Sequence, residues 1–406
     1  MASYAVEFEI YQDDFRPLHM AVLIDAPADR LQEAKLVQDV IRNDLISSQS
    51  FKGLNPLAFL ASANDVFKKI DYSDWSTIGT DILVVGKLHR SGSGWRIDLR
   101  LYQVLQHKIL GVRSLETSIH GLRRLGHQSA NFAYQSVLDI PGHFDTHLVF
   151  VRKSGEYSDL MYMDQDGYNL QTVGHNFTLL LSPDWSPDGH SVALNTYVGN
   201  RPQLEVFDLR SGKRKVFGRF KGLNSTPEFS PDARYIAASL SHTGNPEIFI
   251  YDIKEKEWRQ FTYNKSIDTT PTWSPDSQWL AFASSRSGSP QIYKKSISGG
   301  KPIRVSTKGN YNTSPAWSPR GDKIAMISQK RWQYAVATID VDGENLRYLA
   351  TGHRIESPAW SPNAQIIIYS AEANHRRRVY TIPSWGGVSR AITATDMDGS
   401  DPAWSN

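Results

Sequence analysis

No cysteine occurs in the 406 residues, which excludes thiol catalysis, thiolate metal sites and disulfide staples together, and leaves composition silent on redox compartment. Charge of one sign is also missing. The 45 basic and 42 acidic residues give a formal net charge of +3, without the basic stripe that a nucleic-acid partner requires. No apolar run approaches the roughly 18 residues of a spanning helix. The opening Met1-Ala2-Ser3-Tyr4 lacks the positive segment followed by an apolar one that marks a secretory leader, so the chain is read as either cytosolic or secreted with its leader removed.

Catalytic signatures are absent as well. The 12 histidines form no His-x-x-x-His pair with an intervening Glu. There is no Gly-x-Ser-x-Gly elbow, no Gly-x-x-x-x-Gly-Lys loop and no dinucleotide glycine pattern. Ser91-Gly92-Ser93-Gly94 reads as a hairpin turn before Trp95. No catalytic residue, metal or cofactor is expected, and the protein is read as a non-enzyme.

What is present is a repeat. Trp185-Ser186-Pro187-Asp188 returns as Phe229-Ser230-Pro231-Asp232, Trp273-Ser274-Pro275-Asp276, Trp317-Ser318-Pro319-Arg320, Trp360-Ser361-Pro362-Asn363 and Trp404-Ser405-Asn406, at steps of 44, 44, 44, 43 and 44 residues. That period fits a four-stranded propeller blade. The aromatic ends a strand, and Ser-Pro-Asp supplies a type I turn, with Asp188, Asp232 and Asp276 expected to cap backbone donors rather than to catalyse. Apolar runs such as Val192-Ala193-Leu194 and Ile324-Ala325-Met326 follow as strands sandwiched between blades. Thr146 to Val151 supplies one such strand before the first Trp motif, so the first blade lacks its innermost strand. The segment Asp401-Pro402-Ala403-Trp404-Ser405 completes it and closes a six-bladed ring. The recurring aromatics are expected between blades, and His375-Arg376-Arg377-Arg378 is expected in a solvated hairpin loop.

Residues 1–140 lack the repeat and read as an α/β domain, followed by the propeller over 141–406. Asp29, three residues before Gln32, resembles a helix N-cap, and Ala34, Val37, Ile41 and Leu45 have helical period. Strands are predicted at Leu18 to Ile24, Asp81 to Leu88, Trp95 to Val104 and Lys108 to Leu115. A second helix is predicted over Leu122 to Leu138, and the helices are expected to cover one face of the sheet. The alternating Ala5-Val6-Glu7-Phe8-Glu9-Ile10 reads either as an ordinary edge strand or as a terminal strand able to add to a partner's sheet.

The Pro-Ala-Trp-Ser-Pro repeat, the preceding α/β domain and Met163-Asp164-Gln165-Asp166-Gly167-Tyr168-Asn169 resemble the TolB family along essentially the whole chain. The resemblance implies a monomeric periplasmic scaffold linking the inner-membrane Tol complex to the lipoprotein Pal, supporting outer-membrane integrity and constriction at division. Contact with the outer membrane would run only through Pal. It implies a TolA-binding segment carrying Val6, Phe8, Ile10, Asp13 and Asp14. It also implies a Pal-binding propeller face at Leu223, Asn224, Thr226, Asp268 and Thr269, with Asn312, Glu356 and Asp398 taken as equivalent by repeat register; colicin-like toxins would be further partners. Two other readings stay open. A propeller-type hydrolase or peptidase accessory protein would need a serine elbow from elsewhere, and a cytosolic assembly scaffold would need no leader.

Overall fold

The computed structural model describes residues 16–405; Val6, Phe8, Ile10, Asp13 and Asp14 lie outside the described residues. Described residues up to Asp145 form one compact unit and those from Thr146 another.

The first unit comprises β1 (Leu18–Asp25), α1 (Leu31–Ser47), β2 (Phe51–Gly53), α2 (Ala63–Lys68), α3 (Tyr72–Thr77), β3 (Ile82–Ser91), β4 (Gly94–Gln103), β5 (Lys108–Ser118) and α4 (Leu122–Leu138). The sheet runs β2-β1-β3-β4-β5. β1 is parallel to both its neighbours, while β3, β4 and β5 pair antiparallel. Helices α1 and α4 bury Val37, Ile41, Leu45 and Leu125 against one face. The expectation of a sheet covered on one side is corrected: α2 and α3 cover the other face, placing Val66 and Trp75 against Ala21, Leu83 and Val85. The signal lies in β1 itself, where Met20, Ala21, Val22 and Leu23 are all buried, the continuous apolar run of a strand enclosed on both faces. Asp29 is not a helix cap. It sits in a short 3-10 turn, Ala28–Arg30, and α1 starts after it without a side-chain cap. The reciprocal Ser62–Asp65 box instead caps α2. His127 Nδ1 lies 2.6 Å from Asp44 Oδ2 and ties α4 to α1 from within the core.

The second unit is a propeller of six four-stranded sheets. Its innermost strands are Leu180–Trp185, Asn224–Phe229, Asp268–Trp273, Asn312–Trp317, Glu356–Trp360 and Gly399–Trp404. The last of these pairs antiparallel with His147–Ser154, from Gly399 opposite Arg152 to Trp404 opposite Leu148. The first and last strands of the propeller thus share one blade, which removes the free edges an open sheet would expose.

Local chemistry repeats from blade to blade. In the first turn Gly189 N donates to Ser186 O at 2.9 Å, and Asp188 Oδ1 accepts from Ser186 Oγ at 2.6 Å and His190 N at 3.0 Å. The Ser186 bond, then the backbone bond, holds this carboxyl below its ordinary range. Asp232 and Asp276 repeat the geometry, so these carboxylates are structural. The tryptophans join blades: Trp185 Nε1 donates to Ala403 O at 3.2 Å, Trp273 Nε1 to Glu228 O at 3.1 Å and Trp360 Nε1 to Ala316 O at 2.9 Å. They are interblade core, not a ligand cage.

The arginine run departs from its expected loop. Only Asn374 and His375, at φ 52 and 62, make the turn, and Arg376–Arg378 begin the strand Arg376–Pro383. Arg378 donates to Thr393 O and the Arg377 backbone to Asp398 Oδ1, so the run anchors the loop that leads into the closing strand.

Candidate functional site

The innermost strands enclose a central channel whose cavity, about 380 Å³, is lined from their mid-strand prolines to the prolines of the Ser-Pro turns that leave them. The wall is built by one device repeated around the ring. Ser182, Thr226, Thr270, Ser314, Ser357 and Asp401 all have φ between 47 and 53, and each precedes a proline (Pro183, Pro227, Pro271, Pro315, Pro358, Pro402) that lines the channel. Proline cannot donate to a ladder, so the pairing slips here in each innermost strand. One example is the shift between Ser225 and Glu228. The bulge turns the residue after proline toward the next blade.

Those residues are Asp184, Glu228, Thr272, Ala316, Ala359 and Ala403, and the polar ones stitch neighbouring blades together. Asp184 Oδ2 accepts from Phe229 N at 2.8 Å, and Glu228 Oε1 accepts from Trp273 N and Thr272 Oγ1, both at 2.8 Å. Thr272 Oγ1 accepts in turn from Trp317 N at 3.1 Å. Sequence reasoning passed over this belt, although its signal, a Pro two places before every blade aromatic, is in plain view.

Desolvation pushes the Asp184 carboxyl up to about 7. Glu228 rises well above its ordinary value, first through burial and then through the charge of Asp184. In the unfolded chain both ionise near pH 4, so the folded protein holds more protons between there and about pH 7. Stability from this pair is therefore complete below about pH 4 and lost as pH rises through about 7. Asp184→Asn keeps a carbonyl acceptor for Phe229 N. In urea unfolding between about pH 5 and pH 8 the parent should lose about 1–2 kcal/mol more than this variant. Equal losses in the two would contradict the account.

The eight rim residues fall into two groups. Asn224, Asp268 and Asn312 are fully buried, so in this structure their side chains face the protein and not solvent. Asn224 Oδ1 accepts from Phe220 N at 2.9 Å, and its Nδ2 donates to Phe220 O at 2.8 Å. Asn312 Nδ2 donates to Gln291 Oε1 at 2.8 Å and to Lys308 O at 2.9 Å. Asp268 Oδ2 accepts from Asn264 Nδ2 and Arg286 Nη2, both at 2.7 Å. These side chains fasten the rim loops. Leu223, Thr226, Thr269 and Asp398 are half-buried and Glu356 is exposed.

The register equivalence also needs correction. Counted back from the blade aromatics, Glu356 matches Thr269 rather than Asp268, and Asp398 matches Leu223. The stretch from Glu356 to Trp360 keeps the pairing offsets of the third blade, so the residue missing from the 43-residue step lies ahead of this strand, and the buried Ile355 takes the asparagine's place. Thr226 Oγ1 lies 2.8 Å from Ser239 Oγ, which accepts from Thr270 N at 3.1 Å. Between the last two neighbouring innermost strands, Ser357 Oγ donates to Asp401 Oδ1 at 3.1 Å. Although Glu356 reaches solvent, partial desolvation by the protein around its carboxyl, then the Asp401 charge, raises it.

The chain matches the model of the TolB beta propeller domain over residues 134–406 and that of the TolB amino-terminal domain over residues 6–110. It is 35% identical over 230 residues to the Tol-Pal system protein TolB of Paramagnetospirillum magneticum, covering 55% of this chain and 51% of that protein. It is 34% identical over 189 residues to the protein of the same name from Chromobacterium violaceum, covering 46% and 44%. The chain thus spans about half the length of the curated relatives it matches. The crystal structure of TolB from Acinetobacter baumannii superposes with a TM-score of 0.89 at 27% identity, over 99% of this chain and all of that one. With the propeller model alone matching well over half of the residues, and an α/β unit of the corresponding kind before it, the chain belongs to the TolB family.

Proposed function

We propose that this protein is a non-enzymatic, monomeric scaffold of the Tol-Pal system in the periplasm, supporting outer-membrane integrity and constriction at cell division. The observation that carries this reading is the match of both TolB domains in one chain whose relatives are named for that system. No helix among the described residues is long and apolar enough to cross a membrane, which suits a protein tethered to the outer membrane only through its partner.

Pal docks on the propeller rim at Leu223, Thr226, Thr269, Glu356 and Asp398, with Asn224, Asp268 and Asn312 holding the loops in shape. A rim made of loops from separate blades presents a concave surface on a rigid frame. TolA takes the segment carrying Val6, Phe8, Ile10, Asp13 and Asp14, and colicin-like toxins are further partners. Coupling between the two sites follows from order and disorder of that terminal segment.

Arginine at Thr226 and Thr269 places two long cations in the rim; the first also gives up the 2.8 Å contact of Thr226 Oγ1 with the buried Ser239 Oγ. In the source bacterium lacking this gene, the parent should restore resistance to detergent, whereas Thr226→Arg with Thr269→Arg should fail at equal protein abundance. Full rescue by the double variant would remove the rim from the function.

A further inference from the structure

We propose that the two-residue turn Arg331-Trp332 is the anchor by which the rim face grips an acidic surface of its protein partner. The proposal rests on the reading that a partner docks on this face, and adds where the grip lies and what charge the partner carries.

The turn belongs to that face by pairing. Asn312 stands opposite Ser328, so the hairpin closed by Lys330 opposite Gln333 projects beside the loop that enters this blade's innermost strand. In three other blades the same hairpin tip is Gly155-Glu156, Gly199-Asn200 or Asn374-His375, each with the Gly or Asn that tolerates positive φ. Here Arg331 adopts φ 55, where a long side chain is strained. The next residue is a tryptophan left 93% exposed, although burial of so large a ring is strongly favoured. A strained arginine and a fully hydrated indole at one tip are two separate local costs, and neither is recovered within the chain.

The surroundings specify the occupant. Tyr334, on the strand leaving the turn, is also exposed and meets Tyr311 edge-on at 5.9 Å. The Tyr311 carbonyl accepts from Gln329 N at 2.9 Å, which fixes the Lys308–Tyr311 loop beside the hairpin. Tyr334 pairs with Gly352, so His353 and Arg354 emerge on its other side. Lys308, Arg331 and Arg354 are exposed around the aromatics. Of these cations Arg354 is ion-paired with Glu372 at 3.1 Å, whereas no ion pair is found for Lys308 or Arg331 among the described residues. Tryptophan and arginine are the residues most often found to dominate interfaces, and a cationic setting favours encounter with acidic surfaces.

The test is calorimetric titration of the full chain with the soluble domain of the Pal lipoprotein from the same bacterium. Its arms are the parent, Trp332→Ser, Arg331→Glu, and the Thr226→Arg, Thr269→Arg double variant. Trp332→Ser should weaken binding about 30-fold and Arg331→Glu about 10-fold with unchanged melting temperatures, and parent affinity should fall as salt rises. If the parent binds and the double variant does not, while Trp332→Ser stays within about twofold of the parent, the anchor is wrong and the rim reading stands. Affinity indifferent to salt and to Arg331→Glu would overturn the acidic partner. A parent that does not bind overturns both readings, and a parent dimer dissolved by Trp332→Ser would make the occupant a second copy of this chain.

Discussion

Deletion of Gly399–Trp404 should abolish the cooperative thermal transition of the propeller. That segment is the innermost strand of the blade that begins at His147. Its loss would open the ladder edge of His147–Ser154 and uncover Leu148, Val149 and Phe150, all fully buried. Removing one large buried aromatic typically costs about 3–5 kcal/mol. Trp404 is only one of six residues lost, and domains hold about 5–15 kcal/mol in all. The truncated chain is therefore expected to expose apolar surface and aggregate. Trp404→Phe is the control. It removes the Nε1 bond to Thr146 Oγ1 at 2.8 Å and part of the ring that packs in the core, and should cost about 2–3 kcal/mol, with the propeller still closed. A truncation melting within a few degrees of the parent by calorimetry would mean that closure contributes little.

Asp268→Ala should destabilise the propeller by about 3 kcal/mol, against less than about 0.5 kcal/mol for Thr269→Ala beside it. The Asp268 carboxylate is fully buried and meets Arg286 Nη2 and Asn264 Nδ2 at 2.7 Å. Its removal leaves a guanidinium that is only 22% exposed without its anion. The same network reaches Glu247, whose Oε1 accepts from Asn264 N at 2.7 Å. Chemical unfolding of the two variants decides between framework and contact surface. Equal, small effects would return Asp268 to the list of residues a partner can touch.

The propeller was legible because its strongest constraints are local and repeated. A Ser-Pro-Asp turn must fold the same way at each recurrence, and an aromatic between blades is needed at each junction. Closure followed from counting strands, since a blade without an innermost strand has to find one. The α/β unit was legible where helices are long enough to show a period, as in α1 and α4. It was missed in α2 and α3, each of six residues, which span too few turns for one.

The rim was harder. Asn224 and Asp268 are polar residues at the starts of strands, and a sequence offers no sign that their partners, Phe220 and Arg286, will enclose them. Register failed at Glu356 because one missing residue in the fifth repeat was not assigned to a place, and the bulged Ser357-Pro358 pair is what locates it. The acidic belt of Asp184 and Glu228 was hidden for a different reason. Read along the chain, each is a lone acid beside a proline; only the ring sets them side by side on the wall of the channel, where both are half-buried.

The central claim, a binding scaffold that uses its propeller rim, is tested most directly by titrating the parent with the soluble Pal domain of its own bacterium in a calorimeter, beside the Thr226→Arg, Thr269→Arg variant. The account predicts one-to-one binding by the parent and a loss of at least about 100-fold in the variant, with both proteins melting alike. Absence of binding by the parent, or undiminished binding by a variant that melts like it, would contradict the account.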